Sequence, residues 1–593
     1  MSKTRKFGRL LQDEMTPYPG RAAGALRDTL VLLLSVALAM TFRTPGMQLA
    51  AALLLLMQRE RPGLTMRVAL EIIVSTALAL AVSCTWVQLT DGTEGARFYG
   101  VMVLIFCSAF CMVASTMALP STIFGFYGFV FLSNWDGHHS ADYNVRFGLN
   151  YLASMALGVA CLVAVEYGFG TRHPAEELAR ELRRRMSALA ELFSSLANDE
   201  PRNDPHSFRQ THRKVLQLAH AGDMRLRELY DRFRDSSAAQ DVPVGLQYRI
   251  GIATRALQRS VALGFSTQQE ESGVERLRAY AALAELCRAA AEDKAPTTSA
   301  HFESDSRTLQ ELHAELGEYL AVQHASGEIA AEPQASRMKA RSAFFVPDAF
   351  TTPDAAVYAL KLTLAAMICY VLYNAIAWPG ILTCVVTVLF TGLSTTGAMK
   401  QKQLYRFSGA AIGGLIGIFV VSVFFPNMDS ITSLIVLFAP ICFFAGWVMR
   451  SPNMGYIGVQ IAFAFFLTTI GGFGPSTQVT PARDRLIGVA LGILALWLVF
   501  DQLWPVRTTD ALRRTLQRIG LATEQLRTEE NAGRFESLRS MVSTELANAQ
   551  QLEVAVHFDV GRHQKRELLE TRKLLHRIEA AAAEFYAEAA SHF

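Results

Sequence analysis

Apolar and polar positions fall in long blocks along the chain. Residues 24–169 read as about six apolar segments, a largely polar stretch of about 175 residues follows, and residues 355–505 read as about six more. Segments such as 98–118, 431–449 and 486–503 are long enough to cross a hydrocarbon layer of about 30 Å. The polar stretch has a different period. Residues 176–197 and 274–294 place apolar side chains at i, i+3, i+4 and i+7 and are rich in the helix formers Ala, Leu, Arg and Glu. Breaks fall at 199–207, 295–302 and 331–336, and residues 508–593 continue the pattern around a break near Gly533. These segments are expected to pack as one helical bundle, serving as scaffold or dimer contact. No ligand motif in them supports a sensor role.

The two apolar blocks match one another. RFGLNYLASMALGVACLVAVEYGF from Arg146 aligns with RLIGVALGILALWLVFDQLWP from Arg485, and RVALEIIVSTALALAV from Arg67 aligns with RFSGAAIGGLIGIFVV from Arg406. Both pairs of arginines are 339 residues apart. Repeats of this kind build transporters and channels with the path at the repeat interface. The expected fold is an all-α polytopic membrane protein of two parallel six-helix repeats, about 12 spans, with a cytoplasmic helical bundle. Its parts would be a tail at 1–23, a first repeat at 24–170, a helical domain at 171–345, a second repeat at 346–505 and C-terminal helices at 506–593.

Charge sets the orientation. The tail carries Lys3, Arg5, Lys6 and Arg9, and the second-to-third connections carry Arg59, Arg61 and Arg67 in one block and Lys400, Lys402 and Arg406 in the other. The alternate loops are acidic, with Asp91 and Glu94 against Arg97, and Asp136 and Asp142 against Arg146. The positive-inside rule then puts both termini and the helical domain in the cytoplasm. The first apolar run lies about 20 residues from the basic tail with no small-residue cleavage site after it, so it reads as a retained helix. The chain is 51% hydrophobic with a net charge of +3 and no compact basic tract, which gives no reason to expect nucleic acid.

Catalytic and cofactor signals are not found. GLSTTGAMK from Gly392 lacks a lysine directly after its second glycine, so no phosphate-cradling loop is visible, and an ATP-driven pump is not indicated. Cys107 and Cys111 are one helical turn apart but read as buried small hydrophobes. His138 and His139, near Asp136 and Asp142, read as a solvated loop rather than a metal site. No enzyme activity, cofactor or metal is expected.

Charges at or inside span ends are the candidates for function, because ionisable groups in membrane helices are costly and face a cavity or a partner. Arg146 and Arg485 begin the last span of each block from the external side, against the positive-inside bias, and can flank an anion path. Pairing with Asp142 and Asp484 would instead make them loop locks. Arg27 and Asp28 open the first span, and Lys361 lies about 9 Å into the seventh. Arg67 and Arg406 read as ordinary anchors, with Glu71 one turn after Arg67. Asp28, Glu71 and Asp484 are the candidates for proton coupling. No charge falls at mid-depth of a span.

Glycine marks close packing. Gly409, Gly413 and Gly417 are spaced by four, as are Gly488 and Gly492. The second span, 46–57, is only about 18 Å long, and its counterpart 378–399 is interrupted by Gly, Ser and Thr. There Thr383, Thr387, Thr391 and Ser394 fall on or near one face and can line a polar path.

LKLTLAAMICYVLYNAIAWPGILTCVVTVL (360–389), KQKQLYRFSGAAIGGLIG (400–417) and RDRLIGVALGILALWLVFDQLWP (483–505) resemble the second half of the fusaric acid resistance family. The shared pattern is a basic residue in the first span, WPG before the second, and Arg-x-x-Gly-x-x-x-Gly in the third and sixth. In the first half Arg67 and Arg146 are kept but the glycine spacing is not. The resemblance implies a bacterial inner-membrane exporter of organic anions, with aromatic carboxylic acids as substrates. It implies a proton-gradient drive and a periplasmic adaptor protein, with an outer-membrane channel beyond it. Assembly as a homo-oligomer is expected. A more distant similarity to plant aluminium-activated malate transporters suggests a fused pseudo-dimer. The alternative is a passive anion channel gated by the cytoplasmic bundle.

Overall fold

The computed structural model describes residues 14–17, 20–46, 54–55, 62–90, 93–137, 139–169, 174–220, 226, 230, 246–266, 273–294, 306–324, 344–345, 349–351, 353–393, 396–451, 454–472, 474–503 and 508–528, with scattered positions from 538 to 585. The short second span at 46–57, Ser394, His138, the basic tail, and Arg59 and Arg61 lie wholly or mostly outside these residues.

The chain divides into two compact units. One comprises Met1–Gly170 with Lys339–Val506, and the other Thr171–Met338 with Arg507–Phe593. The join to the second block begins earlier than 346, because Phe344 O accepts the Thr116 amide at 3.0 Å and Phe345 bridges to Ser115.

In the first unit the helices are α1 (Arg21–Thr41), α2 (Pro62–Leu89), α3 (Glu94–Ala114), α4 (Ala118–Ser133) and α5 (Ala141–Phe169). The second block supplies counterparts further along the chain, whose numbers follow those of the second unit. In that second unit lie α6 (Pro174–Ala197), α7 (Pro205–His220), α8 (Leu246–Ser266), α9 (Val274–Glu292) and α10 (Arg307–His324). The second block then holds α11 (Asp354–Ala375), α12 (Thr383–Thr391), α13 (Thr396–Phe419), α14 (Ile431–Met449), α15 (Gly455–Thr469) and α16 (Thr480–Leu496). π-Helical turns widen α13 at Val420–Phe424 and extend α16 through Trp497–Leu503. Last comes α17 (Thr508–Thr528) in the second unit.

Among the described residues, eight helices of the first unit are long and apolar enough to span a bilayer. Their outward faces carry apolar stripes, as on α2, where Leu70, Val74, Leu78 and Val82 are exposed at spacing four. Water would not tolerate so many such stripes, whereas lipid favours them. The chain is therefore an all-α, multi-pass membrane protein. Cys107 belongs to such an outward face and is exposed rather than buried.

Helix packing follows the internal match. The first residues of α2, α3, α4 and α5, moved by 339, fall within five of those of α13, α14, α15 and α16. In the first block α2 packs on α4, α3 on α4, α1 on α5 and α2 on α5. In the second, α13 packs on α15, α14 on α15, α11 on α16 and α13 on α16. Between blocks, α1 meets α14 and α3 meets α11. The glycines make the tightest of these contacts. A methyl group at Gly413 would strike the Ile461 carbonyl, and one at Gly492 would lie 2.7 Å from Thr387 Cβ.

The second unit buries its own apolar stripes. Leu182, Leu189 and Phe193 of α6 share a core with Leu257 of α8, Leu283 of α9 and Leu312 of α10. Leu512 and Ile519 of α17 pack with Val542, Leu574 and Ile578 in a separate cluster.

Candidate functional site: a buried arginine pair

Two arginines converge inside the second block. Arg406 of α13 and Arg485 of α16 are each only 1% exposed. Arg406 donates through Nε to Thr387 Oγ1 at 3.2 Å and through Nη1 to the Tyr456 hydroxyl at 3.1 Å. Arg485 donates through Nη2 to Gln460 Oε1 at 3.0 Å. Tyr456 and Gln460 stand one turn apart on α15, so a single helix face binds both cations. The two guanidinium groups are close enough to repel each other.

Aromatic rings cover the cations. Arg485 Cζ lies 4.0 Å from the Phe463 ring centre, Arg406 Cζ 5.7 Å from that of Phe390, and Lys402 Nζ 5.4 Å from that of Tyr456. Such contacts recover about 0.5–2 kcal/mol each, far less than a buried charge loses in leaving water. No carboxylate of the described residues lies within ion-pair distance of Arg406, Arg485 or Lys402. Arg406 Nη2, Arg485 Nε and Nη1, Gln403 Nε2 and Thr383 Oγ1 are buried without a hydrogen-bond partner. A guanidinium carries five donors in a planar fork that matches a carboxylate. The arrangement can therefore bind an anion.

Sequence dictates the convergence. In Arg-x-x-Gly, arginine and glycine share a helix face. Gly409 would place a methyl 2.6 Å from Gln460 Cβ, and Gly488 one 3.0 Å from the Ile381 carbonyl. The glycines draw α13 onto α15 and α16 onto α12, and the arginines are buried with them. In the first block the offset puts Leu70 where Gly409 stands and Leu149 where Gly488 stands, and both leucines are more than half exposed. Arg67 and Arg146 accordingly stay outside. Arg67 pairs with Glu71 and Arg146 with Asp142, each at 3.0 Å along one helix.

Three sequence expectations change. Arg485 is joined by Arg406, read from sequence as an anchor, and not by Arg146. Asp484 bonds Arg483 at 2.8 Å rather than Arg485. Charge is not confined to span ends: Arg406 lies about 15 Å into α13, near its middle. The reason is that α13 begins at Thr396 and takes Lys400 and Lys402 into its first turns instead of leaving them in a loop, which carries Arg406 towards mid-helix.

The remaining candidates are dispersed. Thr387 belongs to the cluster, and Thr383 lies against Gly488. Lys361 is 5% exposed, with its ammonium 5.9 Å from the Phe500 ring centre. Asp28 is buried and accepts from Arg450 Nη2 at 3.0 Å, and Arg27 is buried next to it in sequence. Gln460 and Tyr456 carried no signal in the sequence, since their role comes from a helix brought in by folding, and Lys402 read there only as loop charge.

These features define a multi-pass membrane protein with a buried cationic site. The fusaric acid resistance protein family matches residues 146–472, more than half of the chain, and the chain belongs to that family. It is 32% identical over 185 residues to the multidrug resistance protein MdtO of Shigella flexneri, covering 31% of this chain and 27% of that one. The MdtO of Escherichia coli K12 is 32% identical over 183 residues, with 30% and 27% covered. The matched region thus spans about a quarter of these relatives' length. No solved structure matches the chain.

Proposed function

We propose that the chain is an inner-membrane exporter of organic anions, with aromatic carboxylic acids as the substrate class. The observation that carries this is the Arg406–Arg485 pair, buried, unmatched by a carboxylate among the described residues and holding free donors. A carboxylate entering there replaces lost hydration with charge-assisted bonds and relieves the repulsion between the arginines. The phenyl walls suit an aromatic acid. Family membership and the relatives' name, multidrug resistance, support an efflux role.

The proposal includes about twelve spans in two parallel halves, with the recurring helix pairings as support. Loop charge favours cytoplasmic termini and a cytoplasmic second unit. Proton drive, a periplasmic adaptor with an outer-membrane channel, and homo-oligomeric assembly complete the reading. Lys361 and Arg27 would serve the path's approaches, and Asp28, Glu71 and Asp484 remain candidates for proton exchange.

The test loads cells with labelled benzoate and follows efflux with and without an uncoupler. Export against the gradient that stops with the uncoupler supports an exporter. Downhill flux indifferent to the uncoupler supports an anion channel, and equal retention in cells with and without the protein overturns both.

A further inference from the structure

Asp136 sits in the short turn Asn134–Gly137 that follows α4. Two helices from opposite blocks hold it. Arg97 of α3 donates through Nε to Oδ1 at 3.1 Å, and the Tyr370 hydroxyl of α11 donates to Oδ2 at 2.8 Å. The α3–α11 contact is one of the two main contacts between blocks, and α1–α14 is the other.

Each of these contacts has its own carboxylate tie, and the ties sit at opposite ends. Asp28 lies in the second turn of α1 and Arg450 directly follows α14. Tyr370 lies near the end of α11 and Arg97 in the first turn of α3. The ties differ in access as well: the Asp28 side chain is 0% exposed and that of Asp136 is 23% exposed.

We propose that Asp136 is a proton-responsive residue of the transport cycle: ionised, it clamps α3 to α11, and protonated, it releases that end of the contact. The proposal rests on reading the chain as a transporter. Its chemistry follows from the two bonds. The carboxylate accepts from both donors at once. A proton removes the charge that Arg97 neutralises, so both bonds fall from charge-assisted to neutral strength, and the phenol must either turn to accept from the new O–H or share the remaining carbonyl oxygen. The ionisable groups facing Asp136 among the described residues are Arg97 and Glu94 of α3 and Tyr370 and Tyr373 of α11, and α4 carries no charged residue. Burial pushes the Asp136 carboxyl above its ordinary range, while the Tyr370 phenol and then Arg97 pull it back. On the orientation proposed above, this tie faces the acidic side of an energised membrane.

The experiment reads distance, not transport. Spin labels replace Tyr99 and Ile376, exposed residues at the tied end of α3 and just after α11, on a background lacking Cys84, Cys107 and Cys111. Pulsed electron resonance on the full chain in lipid nanodiscs follows their separation from pH 8 to pH 5. The expected result is a shift to longer distance on acidification, with D136N held at the longer distance throughout. Y370F, which removes the bond from α11 and leaves the carboxylate in place, should likewise hold the longer distance at every pH and provides the readout if D136N does not fold. A wild-type distance indifferent to pH, a D136N variant that still follows pH, or a Y370F variant that follows pH as the wild type does overturns the proposal. Because no transport is measured, this result and the anion-export reading fail or stand separately.

Discussion

Arg485 donates to Gln460 at 3.0 Å, and this bond takes one of the guanidinium donors while Nε and Nη1 stay buried and unpartnered. A neutral amide satisfies hydrogen bonding in part but cannot cancel charge. The second block thus keeps two like charges buried at a cost to its own stability, a pattern that membrane proteins reserve for ligand and ion paths.

Replacing one of these charges should stabilise the unliganded protein. R406Q and R485Q each remove a desolvated cation and the repulsion between the pair. Thermal unfolding in detergent should occur at a higher temperature in either variant than in wild type. A lower midpoint in both would mean that the arginines are structural ties.

The glycine faces give a sharper packing prediction. In G413A the new methyl would meet the Ile461 backbone carbonyl, which cannot rotate away, whereas in G414A the nearest atom is Ala482 Cβ at 3.7 Å. G413A should cost about 1–3 kcal/mol by overpacking, and G414A almost nothing. Fluorescence-detected size exclusion after heating separates the two.

Asp28 and Arg450 form a buried tie between blocks, with side chains 0% and 9% exposed. Removing either partner alone should destabilise the protein by about 3–5 kcal/mol, because the other charge stays buried. The double variant D28N/R450Q should recover part of that loss. Additive effects in a double-mutant cycle would show that the pair does not act as a unit.

The sequence made some of this legible. The Arg-x-x-Gly-x-x-x-Gly motif puts Arg485 and Gly488 on one face, so the burial of that arginine could be anticipated from spacing. The motif is equally present at Arg406, but the lysines before it read as loop charge, and helix α13 absorbs them. What one sequence cannot display is which foreign helix covers the motif. Gln460 and Tyr456 look like ordinary polar residues of an apolar span until α15 is laid across both arginines. Arg146 illustrates the converse: the repeat suggests a partner for Arg485, yet Leu149 in place of glycine leaves its face outward. R146Q should consequently cost no more than an exposed ion pair, about 0–1 kcal/mol. Its transport should remain close to wild type in the same efflux assay.

In the second unit, His212 is 5% exposed, stacked on Phe208 and 3.1 Å from the Val261 carbonyl. Burial lowers its pKa below the ordinary histidine value of 6.5, against a smaller opposing pull from that carbonyl. A depressed folded-state pKa means that the unfolded chain takes up the proton first. The stability contributed by neutral His212 is complete above about pH 6.5 and is lost as pH falls through the folded value. Hydrogen exchange in α7 and α8, corrected for intrinsic rates, should show protection falling from pH 7.5 to pH 5.5. H212Q should flatten that dependence.

The central claim is that Arg406 and Arg485 together bind the carboxylate of the exported acid. Titration calorimetry of benzoate into the purified full chain tests it most directly. Each single Gln variant should bind about 10-fold or more weakly, the worth of one charge-assisted bond, and the double variant R406Q/R485Q should show no binding while eluting and unfolding as a folded protein. Wild-type affinity for benzoate in the double variant would contradict the account.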